Sequence, residues 1–414
     1  MIAPEEITVE ITALGNRVGG ISSGRSGKTV FVRGALPGET VKCRTEKVRK
    51  NLIEADLVEI LEISPHRTDP FCSCFGECGG CSLQNLMYSR QLFWKRNWVE
   101  KALGRAGIVY SDELMNEVIP SPAINGYRNR VSFDIVNGKP GLHRFRGNIM
   151  PVDGCPLLNK RGQRAFERLL EEQLDGNRRV SVRASEKTGK AMLEFSGPSA
   201  HGITHGCDSD IIAWKDGNDW KIDPPGSAFH EIAGGFTYPV RPGTFFQVNT
   251  GCAEIIISIV TGLCGEDRKI LDLYGGCGTF ALPLASEGAE VTSVELNPDS
   301  SASGKEAAEL SGIKGIDFLT GRTRHFLLST IRAKQIWDTI IVDPPRAGLG
   351  IRVSRLLRRA IAKRIVYVSC NPFSLARDLK EICDGSWAVA EIQPVDMFPQ
   401  TDHVETVVTL RRKE

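Results

Sequence analysis

The sequence predicts a multidomain α/β protein: a C-terminal doubly wound parallel sheet, an α+β middle region, and a small N-terminal β-barrel. Three observations carry this. From about residue 244 onward, short apolar runs alternate with stretches long enough for crossover helices. Residues 1–64 hold only short alternating strands broken by Gly-rich turns, and a bunch of cysteines lies between the two regions. At 414 residues the chain is too long for one ordinary domain, and 41% hydrophobic with 25% charged residues allows sizeable cores. We therefore expect a barrel over 1–64, a cysteine-bearing α+β region over 65–240, with 91–124 packing on the last domain, and that domain over 241–414.

In the barrel, strands are read at Ile7–Ile11, Thr29–Val32, Glu39–Cys43 and Ala55–Ile60. Lys42, Arg44, Lys47, Arg49 and Lys50 fall on one strand and its turn, either a solvated edge or a nucleic-acid patch of the kind small barrels carry. Ser64-Pro65-His66-Arg67 reads as a linker, and Gln91–Ala106 has helical periodicity. Strands at Arg128–Phe133, Gly141–Arg146 and Val180–Arg183 mark the middle region. The start, Met1-Ile2-Ala3-Pro4-Glu5-Glu6, lacks the pattern of a signal peptide, and the best apolar run, Ile255–Val260, is far too short for a bilayer. The expectation is a cytoplasmic protein without membrane contact. A net charge of +2 neither demands nor excludes a nucleic-acid partner.

In the last region strands are read at Ile270–Tyr274, Val291–Glu295, Thr339–Asp343 and Ile365–Ser369, with a terminal hairpin, Ala388–Val395 and Val404–Leu410, at the sheet edge. The loop Asp272-Leu273-Tyr274-Gly275-Gly276-Cys277-Gly278 lets the backbone turn sharply toward a ligand. Glu295, about twenty residues on, ends the next strand, where a carboxylate reaches ribose hydroxyls. This spacing fits NAD or S-adenosylmethionine. The lack of a full G-x-G-x-x-G, together with the acidic turn Asp343-Pro344-Pro345-Arg346, favours the cationic S-adenosylmethionine.

The run Ile365-Val366-Tyr367-Val368 leads into Ser369-Cys370-Asn371-Pro372. A cysteine at the carboxyl end of a buried strand stands where open α/β sheets bind ligands, so Cys370 is a candidate nucleophile. The plain alternative is a small buried thiol. Of twelve cysteines, Cys72, Cys74, Cys78 and Cys81 are bunched, which points to metal before disulfides. Iron–sulfur and zinc both suit such ligands.

These blocks resemble the RNA uracil-5-methyltransferase family, in its members with an N-terminal TRAM barrel and an iron–sulfur cluster. The likeness rests on Phe245-Phe246-Gln247-Val248-Asn249, the 272–278 loop, Asp343–Gly348, Val368–Pro372 and His403-Val404-Glu405, with Leu36-Pro37-Gly38-Glu39 in the barrel. The resemblance implies a Rossmann-like methyltransferase sheet with Gln247, Tyr274, Glu295 and Asp343 at S-adenosylmethionine. It implies Cys370 as nucleophile and Glu405 as base, forming 5-methyluridine in ribosomal or transfer RNA. It also implies a [4Fe-4S] cluster on Cys72, Cys78, Cys81 and Cys155, and a monomer acting on structured RNA. Cys74 is extra to that pattern.

Three other readings compete. Cys74, Cys78 and Cys81 have the spacing of radical S-adenosylmethionine enzymes, which usually build a βα barrel around their cluster. An RNA cytosine-5-methyltransferase would carry a Pro-Cys pair after the third strand, where this chain has Pro345-Arg346. A non-catalytic RNA-binding assembly factor would have lost chemical positions that are all intact here. Expected RNA contacts are Lys42–Lys50, Arg128, Arg130 and a helix spanning Arg355–Arg364, whose inward face would be Leu357, Ala360 and Ile361.

Overall fold

The computed structural model describes residues 5–16, 19–23, 27–172, 174, 178–196 and 211–413. The chain forms two compact units. The first comprises Met1–Trp98, Leu142–Met150 and Pro399–Asp402; the second comprises Val99–Gly141, Pro151–Phe398 and His403–Glu414.

In the first unit, β1 (Glu6–Glu10), β2 (Ala13–Gly15), β3 (Gly19–Ser23), β4 (Thr29–Arg33), β5 (Thr40–Val48) and β6 (Leu52–Glu62) form one sheet, ordered β1-β5-β6-β4-β3-β2. Val9, Val30, Val32, Val41, Cys43 and Ala55 alternate inward and share one apolar cluster. Register shifts between the long strands β5 and β6 bend the sheet around that cluster. The turn at Pro37-Gly38 is secured by buried Glu39, which accepts from the Leu36 N–H at 2.8 Å and pairs with Arg67 at 2.6 Å. Helix α1 (Tyr88–Ala106) crosses from one unit to the other. Its first half packs Trp94 and Trp98 with Leu14, Leu83 and Leu86.

A second sheet holds β7 (Arg130–Val136), β8 (Lys139–His143), β9 (Ile149–Pro151), β10 (Arg179–Ala184), β11 (Ala191–Ser196), β12 (Ile211–Asp216) and β13 (Asp219–Asp223), ordered β13-β12-β11-β10-β7-β8-β9, with all but Leu142–Met150 in the second unit. Helix α2 (Lys160–Leu169) lies on it, Phe166 stacking on Phe133 at 4.4 Å. A hairpin, β14 (His230–Ala233) and β15 (Phe236–Pro239), leads to α3 (Thr250–Cys264).

The remaining elements are β16 (Lys269–Leu273), α4 (Ala281–Ser286), β17 (Glu290–Glu295), α5 (Pro298–Leu310), β18 (Ile316–Thr320), α6 (Thr323–Arg332), β19 (Ile336–Val342), α7 (Gly350–Arg359), β20 (Ile361–Ser369), α8 (Pro372–Ile382), β21 (Trp387–Val395) and β22 (Glu405–Arg412). Their sheet runs β18-β17-β16-β19-β20-β22-β21; the first five are parallel, and β22 is antiparallel to both neighbours. Strand order reverses between β16 and β19, which opens a crevice at their carboxyl ends. Val99, Ala102, Leu103 and Met115 join the core beneath β16, β19 and β20, so the second half of α1 belongs to this sheet.

The terminal hairpin closes the sheet edge as expected, with β21 outermost and the last strand, β22, inserted beside β20. The structure departs from the sequence reading at two places. β18 was not anticipated, because Phe318 alone of its five residues is buried and the alternation is too weak to read. The helix expected over Arg355–Arg364 ends at Arg359: Ala360 is extended, and Ile361, expected to face inward, begins β20 and is 39% exposed. The β-branched run that follows wins the backbone for the strand.

Candidate active site

Cys370 follows the last residue of β20, and Pro372 starts α8 with Asn371 as its N-cap. Proline at the first helical position loses no hydrogen bond, so strand and helix meet within two residues. The neighbouring ladder pairs Val368 with Val407 and Ser369 with Thr406. One further step along this antiparallel register sets Cys370 opposite Glu405, the first residue of β22. The insertion of β22 beside β20 is what makes them neighbours. Among the described residues, Glu405 is 2% exposed.

Three carboxylates gather at this edge. Asp272, in β16, is fully buried, and burial pushes it up to about 7, with Glu295 adding in the same direction. Its Oδ2 accepts from Ser293 at 3.3 Å, while Oδ1 has no hydrogen-bond partner. Asp343 retains some surface, yet the protein around its carboxyl, and then the Asp272 charge, push it up to about 7. Burial, and then Asp343, raise Glu405 well above the usual carboxylate range. The Cys370 thiol is pushed up to about 12 by burial, then by Glu405 and Asp343, with the Arg346 guanidinium pulling the other way. The site is thus a crowded acidic edge whose ionisation a nearby cation favours, and whose thiol is held protonated.

The glycine loop fits a bound nucleoside. Tyr274 takes a left-handed conformation, φ 64°, and its N–H donates to the Val294 carbonyl at 2.9 Å, tying the loop to β17. A Cβ on Gly275 would lie 2.0 Å from Ser293 Oγ and 2.6 Å from Asp272 Oδ2, so only glycine passes there. Glu295 ends β17 and accepts from the Gly276 N–H at 3.1 Å and the Asn297 N–H at 2.7 Å. Its carboxylate is thereby aimed over the loop. Gln247 lies just before α3; Asn129 donates to its carbonyl at 2.9 Å, and Arg183 donates to the Thr244 carbonyl at 2.7 Å. Arg183 is itself buried against Glu194 at 3.2 Å. These residues fit S-adenosylmethionine: a cradle that admits no side chain, an anchored acid at a strand end, and carboxylates whose charge a sulfonium would offset.

Sequence reading missed Asp272 as a site group, although a lone acid inside the apolar run Ile270-Leu271-Asp272-Leu273 was a usable signal. It also missed Asn129 and Arg183, which act from a distant part of the chain and had none.

The cysteine region gives a different picture. The Cys78 N–H donates to the Cys74 carbonyl at 2.9 Å, and burial raises Cys72, with Cys74 and Cys78 contributing. Among the described residues, no group of three or more His, Cys, Asp or Glu is arranged to hold a metal ion. Cys72, Cys78 and Cys81 belong to the first unit and Cys155 to the second.

Most of the expected RNA contacts are occupied by acids. Lys42 and Arg44 meet Glu6 at 2.6 and 3.1 Å, and Arg49 meets Glu54 at 3.2 Å. Arg130 meets Glu194 at 2.7 Å, Arg355 meets Glu381 at 2.7 Å, Arg358 meets Asp384 at 2.6 Å and Arg364 meets Asp267 at 2.9 Å. Among the described residues, no helix is long and apolar enough to cross a membrane.

Comparison with known proteins agrees with this architecture. The family model described as tRNA (Uracil-5-)-methyltransferase matches residues 231–413, and the TRAM domain model matches residues 5–58. A tRNA (uracil(54)-C(5))-methyltransferase of Pyrococcus abyssi is 34% identical, the match covering 92% of this chain and 96% of that protein. An RNA methyltransferase of Gloeobacter violaceus is 32% identical over 100% of this chain and 98% of its own. The crystal structure of the Pyrococcus abyssi tRNA (uracil-54, C5)-methyltransferase in complex with S-adenosyl-L-homocysteine superposes with a TM-score of 0.79 at 30% identity, covering 97% of this chain and 99% of that one.

Proposed function

The chain belongs to the tRNA (uracil-5-)-methyltransferase family, and on that premise we propose how its strand-end residues carry out the reaction. It is an S-adenosylmethionine-dependent RNA uracil-C5 methyltransferase with an N-terminal TRAM domain. Cys370 is the nucleophile and Glu405 the base. Gln247, Tyr274, Glu295 and Asp343 hold the methyl donor. S-adenosylmethionine supplies an electrophilic methyl group and a sulfonium charge of the sign this edge favours.

Uracil C5 is a poor nucleophile, but C6 is the β-position of an unsaturated carbonyl. The Cys370 sulfur forms a bond to C6, and the C5–C6 π electrons move toward C5 and the C4 carbonyl oxygen. C5 then accepts the methyl group, whose bond to the sulfonium sulfur breaks and leaves the neutral thioether S-adenosylhomocysteine. Glu405 takes the C5 proton, the electrons of that bond restore C5=C6, and the Cys370 sulfur leaves. One proton is released per turnover. A thiol pushed up to about 12 is almost wholly protonated at neutral pH, so attack has to coincide with loss of its proton. Glu405, raised by burial, must be ionised by the time it takes the C5 proton, and its high proton affinity then makes it a strong base.

The observation that carries this reading is the register that sets Cys370 opposite Glu405, beside Asp343. The test is covalent trapping. Glu405→Gln with S-adenosylmethionine and RNA should accumulate a methylated protein–RNA adduct, lost in Glu405→Gln/Cys370→Ala. Free turnover by Glu405→Gln would end its assignment as base. Production of 5′-deoxyadenosine in place of S-adenosylhomocysteine would revive the radical reading.

The named activity of the Pyrococcus abyssi relative supports transfer RNA as substrate. Mapping 5-methyluridine in transfer and ribosomal RNA from a deletion strain checks it, with loss from transfer RNA expected. For Cys72, Cys78, Cys81 and Cys155 the support for a [4Fe-4S] cluster is their spacing and the affinity of thiolates for iron. No step above runs through it, and iron and sulfide analysis of anaerobically purified protein decides it. We assign the enzyme to the cytoplasm as a monomer, to be checked by cell fractionation and sedimentation.

A further inference from the structure

Helix α8 starts beside the nucleophile and grips the loop that follows Asp343. Asn371 Nδ2 and Ser374 Oγ both donate to the Arg346 carbonyl, each at 3.1 Å. Arg377 donates to the Ala347 carbonyl at 2.7 Å, and the Leu349 N–H donates to Asp378 Oδ2 at 2.6 Å. Residues 346–349 are therefore fastened to one helix face by side chains at positions 371, 374, 377 and 378, the spacing that places them together.

Asp378 is the centre of this grip. It is fully buried, and both oxygens are engaged: Oδ2 also accepts from the Tyr367 phenol at 2.8 Å, and Oδ1 accepts twice from Arg377, at 2.8 and 3.0 Å. Gly348 is left-handed, φ +76°, and a Cβ there would fall 2.3 Å from Asp378 Oδ2. The loop is shaped to lie against this carboxylate. Tyr367 sits three residues before Cys370 on β20, so Asp378 ties the strand of the nucleophile to the loop as well.

What the loop carries is Arg346. Its guanidinium reaches His403 Nδ1 at 3.4 Å. Among the described residues it is the cation that pulls the Cys370 thiol down, opposed by Glu405 from β22 and by Asp343 just after β19. We propose that Asp378 is a positioning residue for methyl transfer: by clamping residues 346–349 onto α8 it holds the Arg346 guanidinium beside Cys370. This rests on the reading of Cys370 as the nucleophile. A carboxylate serving only stability would affect unfolding and leave the thiol's reactivity alone.

The experiment compares Asp378→Asn, Arg346→Gln and the double variant by two readouts: kcat for methylation at saturating RNA, and the rate at which iodoacetamide modifies the Cys370 peptide, resolved by mass spectrometry at one fixed pH. Removing a cation from beside a thiol disfavours thiolate, so the modification rate should fall. Asp378→Asn should lower both readouts about tenfold. Arg346→Gln should do the same, and the double variant should be no worse than Arg346→Gln, since one effect is lost once. Unchanged Cys370 reactivity in Asp378→Asn overturns the proposal, whatever its melting temperature; so do losses that multiply in the double variant. If Asp378→Asn does not fold, Arg377→Ala takes its place: a smaller fall in the same direction supports the clamp, and none overturns it. Full activity in Cys370→Ala would remove the nucleophile reading instead, and the modification rates would still report on the clamp.

Discussion

In the barrel, Lys42 and Arg44 on β5 both reach Glu6 on β1, and all three side chains are a third to a half exposed. At the carboxyl edge of the C-terminal sheet, Asp343 acts on both buried Asp272 and buried Glu405, with Arg346 as a cation acting on the thiol beside them. The barrel's charges satisfy each other in water, so RNA binding there has to compete with internal acids. Those at the sheet edge are left in conflict, and burial converts the conflict into raised proton affinities. Conflict of this kind costs stability and is retained where a cation and a proton have to be handled.

Five measurements break or sharpen that contrast. The largest effect belongs to the thiol itself: Cys370→Ala should lower methylation by about a thousandfold or more while leaving S-adenosylmethionine affinity within about twofold, as measured by radiolabel transfer and calorimetry. Next, Glu405→Gln should slow product release from the covalent adduct by about a hundredfold, seen as a retarded protein–RNA band on denaturing gels.

Third, Gly275→Ala forces a methyl into contact with Ser293 and Asp272. Cofactor affinity should drop by about tenfold or more, because the loop must open to admit it. An unchanged affinity would show that the loop gives way freely.

Fourth comes a linkage effect. Asp272 has its proton affinity raised from 3.8 to about 7 on folding. Below the lower value both states are protonated and nothing is lost. Between the two values the unfolded chain ionises while the native state keeps its proton, so stability falls; above the upper value both states carry the charge and the loss levels off. Asp272→Asn removes that cost, so its stability relative to the parent should improve by on the order of 2–4 kcal/mol between about pH 4 and about pH 8, read from denaturant titrations. A gap that narrows with pH would contradict the burial of this acid.

The smallest effect lies on the barrel. Lys42→Ala should weaken RNA binding by less than about threefold, since its charge is already shared with Glu6. A loss of tenfold would mean that the pair opens on binding and that the barrel contributes as much as a bare basic patch.

Much of the site was readable from the chain because its signals are local. A run of apolar residues broken by Ser369-Cys370-Asn371-Pro372 marks a strand end, and glycines at 275, 276 and 278 followed by Glu295 mark a nucleoside loop. The strands of the N-terminal region were readable from the alternation around Val30, Val32, Val41 and Cys43, and its TRAM character from the resemblance of Leu36-Pro37-Gly38-Glu39. Boundaries were weaker: nothing in Arg358-Arg359-Ala360-Ile361 announces that the helix stops and the strand starts there. The weak pattern of β18 hid an edge strand, since an edge needs only one buried residue in five.

What the sequence determined by itself is chemical: which residue types stand at strand ends, with the turn chemistry that leaves them there. Tertiary structure alone decided partnership. The 34 residues between Cys370 and Glu405 say nothing of a shared register; that comes from β22 inserting between β20 and β21, which antiparallel pairing permits and local pattern does not encode. The same holds for Asn129 and Arg183 at the Gln247 segment, and for Asp378 on the loop of Arg346. Propensity acts over a few residues, whereas the proton affinities of Cys370 and Glu405 are set by whatever charges folding brings within a few ångströms.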